Sequence, residues 1–125
     1  MKMLILSLSL MLVTILPTLS IALAQMPEGT VTNSKYMTIT EHRYRDQPYV
    51  DQITGTIVNN STEEVYGVQA FVALYDSNDN LISMKFGGAD VFTLPPGDSS
   101  AFSIIGIEKK WGVDHYVLYP GGTPT

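Results

Sequence analysis

The 125-residue chain contains no cysteine. That absence excludes disulfides, thiolate metal sites, a blue-copper centre, a cysteine nucleophile and a lipidated N-terminal cysteine. Positive charge is scarce as well, with 7 Lys+Arg against 12 Asp+Glu and no basic cluster. Phosphate backbones are held by concentrated Lys and Arg, so the composition argues against nucleic acid as a partner. Helix signals are nearly absent from residue 26 onward, and only one apolar run approaches membrane length.

That run comes first. Lys2 gives a positive start, and 15 of the 21 residues from Leu4 to Ala24 are Ala, Val, Ile, Leu or Met, with no charge among them. Ala22-Leu23-Ala24 then supplies the small-x-small pattern read by a signal peptidase. The expectation is a signal-peptide helix over residues 1–24, cut between Ala24 and Gln25, and a secreted or extracytoplasmic product in the envelope or periplasm. An uncleaved anchor is the alternative, and it would be the chain's one route to a membrane. Removal of the segment leaves 6 basic and 12 acidic residues.

The remainder reads as strands. Short runs of β-branched and aromatic residues recur between turn formers: 36–41, 49–59, 65–75, 81–86, 90–94, 101–107 and 113–119. In the longest, Val68, Ala70, Val72 and Leu74 share one face and are expected in the core; Gln69, Phe71, Ala73 and Tyr75 share the other. The same alternation puts Ile53 and Ile57 together. About seven antiparallel strands at spacings near ~10 residues predict an all-β immunoglobulin or fibronectin III-like β-sandwich. A closed barrel is the structural alternative. The expected organisation is a flexible segment over 25–34, a domain over 35–120 and a tail over 121–125 that begins after Pro120.

Three stretches carry a resemblance. Gly55-Thr56-Ile57-Val58-Asn59-Asn60, then Val68 through Leu74-Tyr75-Asp76, then Leu94-Pro95-Pro96-Gly97-Asp98 before Phe102 are similar to the FxLYD family of prokaryotic envelope proteins. The family's Phe position falls on Val72, a departure that stays hydrophobic. The resemblance covers roughly residues 50–105 and implies a small immunoglobulin-like sandwich with no assigned reaction; no cofactor is expected.

Candidate sites are few. Asp76-Ser77-Asn78-Asp79-Asn80 begins like a calcium loop, but Leu81 and Gly87 stand where an EF-hand needs Gly and Glu. Asp76 and Asn78 therefore read as an Asx-rich hairpin turn, with a calcium site built from two loops as the rival. His42 and His115 lie in the first and last expected strands, where they could share a metal with nearby carboxylates or with Met37 and Met84. Asn59 and Asn60 head overlapping N-x-S/T sequons in a surface turn. Trp111 beside Lys109-Lys110 is expected to cap one end of the sandwich, with sugar or partner binding as its rival. Tyr44, Tyr49 and Trp111, with Arg43 and Arg45, are the candidate interaction surface. Ser99 and Ser100 lack a nucleophile elbow and a nearby base. The sequence thus predicts a non-catalytic module that contacts a protein or other envelope component, with a metal-binding protein as the alternative.

Overall fold

A computed structural model describes residues 25–125. The expected signal segment 1–24 and the residue before its cleavage point, Ala24, lie outside the described residues. Eight strands form a two-sheet sandwich: β1 (Glu28–Val31), β2 (Met37–Arg45), β3 (Val50–Asn59), β4 (Val65–Tyr75), β5 (Leu81–Gly88), β6 (Thr93–Leu94), β7 (Ser99–Glu108) and β8 (His115–Pro124). One sheet runs β1-β8-β4-β5, with β6 also on β4; the other runs β2-β3-β7. The expected all-β sandwich is therefore the observed fold.

The two layers meet over the aliphatic stripe of β4. Val68, Ala70, Val72 and Leu74 are buried, against Ile53 and Ile57 of β3 and Phe102, Ile104 and Ile107 of β7. Each strand can present only every second residue to this core, and three bulges correct the count. In β2 Met37 and Ile39 face inward; an irregularity between Ile39 and Glu41 then shifts the inward set to His42 and Tyr44. Without it Glu41, Arg43 and Arg45 would point into the core. Gly106 (φ 82°) sits in a bulge of β7 that lets both Ile104 and Ile107 face inward. Gly67 (φ 67°) does the same between Val65 and Val68 of β4.

Several expected boundaries need correction. Residues 25–34 are not a free segment, because β1 pairs in parallel with β8, from Glu28–His115 to Val31–Leu118. This pair also breaks the expectation of an entirely antiparallel sandwich. The strand is too short to announce itself by pattern, and Gly29 admits it over the Tyr116 ring, where a Cβ would collide at 2.0 Å. Nor is 121–125 a tail: β8 continues past Pro120, and Thr123 and Pro124 pair with Tyr66 and Val65. Gly121 and Gly122 act here as close-packing residues, since a Cβ on either would lie 2.5 Å from Phe71 or Val65. The strand expected over 90–94 shrinks to Thr93–Leu94. Among the described residues no helix is long and apolar enough to cross a membrane.

Gly87 shows how closely the layers approach. A Cβ there would stand 1.8 Å from the Ser103 carbonyl oxygen, so β5 lies directly on the β7 backbone, and Ala89 bridges to Phe102. Backbone cannot yield as a flexible side chain can. Gly87→Ala should therefore cost about 2–3 kcal/mol in urea unfolding. Gly88→Ala, with nothing within 4 Å of the new methyl, should stay within about 0.5 kcal/mol of the parent. Equal losses at the two positions would contradict the close approach.

Candidate functional site

The two histidines do not meet. Tyr116 and His115 are neighbours on β8 and so project to opposite faces. His42 lies on the inner side, its Nδ1 2.9 Å from the Tyr116 hydroxyl and its ring edge-on to that phenol. His115 lies outside, stacked on Tyr75 at 5.2 Å, with Nδ1 2.8 Å from Asp114 and Nε2 2.9 Å from Asp79. The hydrogen bond to Asp114 raises the His115 pKa above its ordinary value, solvent loss opposes this, and the charge of Asp79 adds to the rise. Met37 is buried and Met84 is exposed, so neither completes a shared site. Among the described residues no group of three or more His, Asp or Glu is arranged to hold a metal ion.

Asp76 is a turn device. Its Oδ1 accepts from the amides of Asn78 and Asn80, both at 2.9 Å, and these bonds hold its carboxyl below the usual pKa. Asp79 takes the left-handed conformation (φ 62°) that closes the β4–β5 hairpin. The carboxylate oxygens that a calcium ion would need are already engaged by the loop.

Asn59, a candidate glycosylation acceptor, is wholly buried. Its Nδ2 donates to the carbonyls of Glu63 (2.7 Å) and Leu94 (2.9 Å), and its Oδ1 accepts from the Ser61 amide and hydroxyl. The amide nitrogen a glycan would take is a structural donor, so this candidate is withdrawn for the folded chain. Asn60 is exposed and donates to Thr38 Oγ1. One residue of the pair ties loops together, and the next faces water.

Tyr44 also leaves the interaction surface, because the β2 bulge turns it inward, while Tyr49 is 91% exposed. The Tyr44 hydroxyl donates to Asp51 Oδ2 at 2.8 Å. Burial raises the Tyr44 pKa, and the Asp51 bond and charge raise it further. Asp51 is itself buried, which pushes its carboxyl up, but hydrogen bonds from Lys109, Tyr44 and the Gln47 amide outweigh this and leave it low. Lys109 bridges Asp51 and Asp46. Trp111 packs partly buried against the core, as a cap should, but the lysine over its ring is Lys85 of β5, 5.8 Å from the centroid.

The surface that alternation leaves uncovered is elsewhere, on the outer face of the five-stranded sheet. Register places Phe86, Phe71 and Tyr119 in one row across β5, β4 and β8, and Met84, Ala73 and Val117 in the next. Phe86 is 67% and Met84 60% exposed, and the Phe71 and Phe86 rings lie 6.1 Å apart. Leu81, opposite Tyr75, extends the patch. Asp79, Asp114 and Glu28 stand at its His115 end, giving an apolar centre with an acidic rim. The three-stranded sheet carries the polar outer rows Arg43–Thr54–Ser103 and Glu41–Thr56–Ala101, with Ile105 of β7 (64% exposed) and Val50 of β3 as its exposed large apolar residues. The signal for the apolar face was present in the sequence, in the outward parity of Phe71, Met84, Phe86, Val117 and Tyr119, but it needs the strand register to become a patch.

No protein-family model, curated protein or solved structure matches this chain.

Two measurements check the polar anchors. Asn59→Ala leaves the Leu94 and Glu63 carbonyls without their donor and should cost about 3 kcal/mol in urea unfolding. The pH dependence has two limbs. The folded Asp51 pKa lies below the ordinary 3.8, so its contribution is complete above that value and drains as pH falls through the folded pKa. The folded His115 pKa lies above 6.5, so its contribution is full below that value and fades as pH rises through the folded pKa. Urea midpoints should show Asp51→Asn flattening the acid limb and His115→Gln the other.

Proposed function

We propose that the chain is an exported, non-catalytic β-sandwich module that docks a protein of the cell envelope through the outer face of its five-stranded sheet. The observation that carries this reading is the apolar outer rows Phe86–Phe71–Tyr119 and Met84–Ala73–Val117, in which Phe86 and Met84 are exposed, Phe71, Tyr119 and Val117 are half-buried and Ala73 is buried. An outer sheet face is ordinarily polar, and a contiguous apolar patch marks a contact surface. The other sheet supplies a comparison within the same chain, since its outer rows carry Arg, Thr and Ser where these carry Phe, Tyr and Met. The acidic rim favours a partner with an apolar centre and basic surroundings, which would also speed encounter at low salt.

Export rests on the signal-like segment 1–24. The resemblance to FxLYD envelope proteins, carried by the stretches around Asn59, Leu74-Tyr75-Asp76 and Pro96-Gly97, supports the same setting. The metal-binding alternative gains nothing from the placement of His42 and His115 on opposite sides of β8.

The test is capture from envelope extract by immobilised protein, beside a Met84→Ser, Phe86→Ser double variant. One protein should be retained by the parent and lost by the variant, with unchanged circular dichroism. Retention of the same protein by both would defeat the reading.

A further inference from the structure

The opposite face of the molecule carries a second site, independent of the apolar patch. A cleft of about 500 Å³ lies across the outer face of β2, β3 and β7. Arg43 and Arg45, the chain's two arginines, stand along its β2 wall, and both are exposed. They are alternate residues of one strand, so their stems rise from the same face about 7 Å apart. Among the described residues neither is paired with a carboxylate; the ion pairs go to Lys109, Lys110 and His115. Thr54, Thr56 and Ser103 line it beneath, together with Gly55, Ala101 and Phe102. Glu41 accepts from Thr56 at 3.3 Å, and Asp90 lines the cleft as well, so two carboxylates add acceptors beside the two arginine donors.

We propose that this cleft binds an acidic glycan, a saccharide chain bearing uronate carboxylates. The planar guanidinium fork matches a carboxylate in two parallel hydrogen bonds. The hydroxyls beneath and the Glu41 and Asp90 carboxylates supply the mixed donors and acceptors that sugar hydroxyls require. An acidic peptide fits less well. The cleft lies over strands whose ladders join β2 to β3 and β3 to β7, so its floor offers side chains where a peptide backbone would seek amides and carbonyls.

The experiment is calorimetric titration of the full-chain protein with an oligogalacturonate, its carboxyl-reduced neutral counterpart and an oligoglutamate peptide. The uronate should bind, more weakly as salt rises, and the neutral oligomer should not. Arg43→Gln and Arg45→Gln should each weaken binding about tenfold, and the amide resonances of Thr54, Thr56 and Ser103 in the parent should shift on titration. Met84→Ser, Phe86→Ser should bind the uronate unchanged, which separates this site from the docking face. The proposal is overturned by no binding at millimolar uronate, by equal binding of the neutral oligomer, by arginine variants that bind as the parent does, or by an oligoglutamate that binds as tightly as the glycan.

Discussion

Side-chain parity governs this molecule. A strand shows alternate residues to its two sides, so an error of one position would exchange the core for the surface along its whole length. With no cysteine to cross-link the layers, the fold depends on keeping the aliphatic residues of β3, β4 and β7 facing one another. The bulges at Ile39–Glu41, Gly67 and Gly106 are the corrections that hold parity. Each bulge serves two ends at once. The one in β2 keeps two arginines and a glutamate out of the core and, by the same half-turn, carries Tyr44 in to meet Asp51.

The regular parts of the fold were legible because their signal is local. The stripe Val68, Ala70, Val72, Leu74 and the pair Ile53, Ile57 could be placed from alternation alone, and they are buried as alternation requires. The errors came where a residue's role is decided by something distant in sequence. Gly121 and Gly122 have the look of a chain terminus, yet they are small because Phe71 and Val65 press against them. Glu28–Val31 has too little pattern to count as a strand until β8 offers it an edge. Tyr44 reads as a surface aromatic among charges, and only the bulge two turns of pleat earlier reverses it. The candidate metal pair failed for a related reason, since proximity of two strands says nothing about which side of the sheet each imidazole occupies.

Two buried polar groups do here what cross-links do in many small disulfide-bonded domains. Asn59 joins the end of β3 to the turn at Ser61–Glu63 and to Leu94. Asp51 joins the other end of β3 to Tyr44, the Gln47 turn and Lys109. Both sit on the same central strand of the smaller sheet, so loops at each end of the sandwich are tied to one rigid element. Such groups stabilise only when every lone pair and proton is matched, and none of the buried side-chain polar atoms of the described residues lacks a partner. This matching is also why Asn59 cannot serve as a surface acceptor: the same amide proton cannot hold a carbonyl and be replaced by a sugar.

The position of the outer apolar rows bears on how the proposed contact would be made. An open strand edge beside an apolar face invites a partner to add a strand, and β5 is the edge of its sheet. Yet the second half of β5 is sealed, with Gly87 pressed on Ser103 and Ala89 bridged to Phe102. Phe86 precedes that seal directly, so the most exposed aromatic of the face lies where the edge is already covered. Backbone pairing is thereby closed off at the place where side-chain contact is richest. Under the proposed docking role, a partner on this sheet would be recognised by packing over Phe71, Phe86 and Tyr119, with shape and apolar area, not β-strand hydrogen bonding, as the source of its affinity.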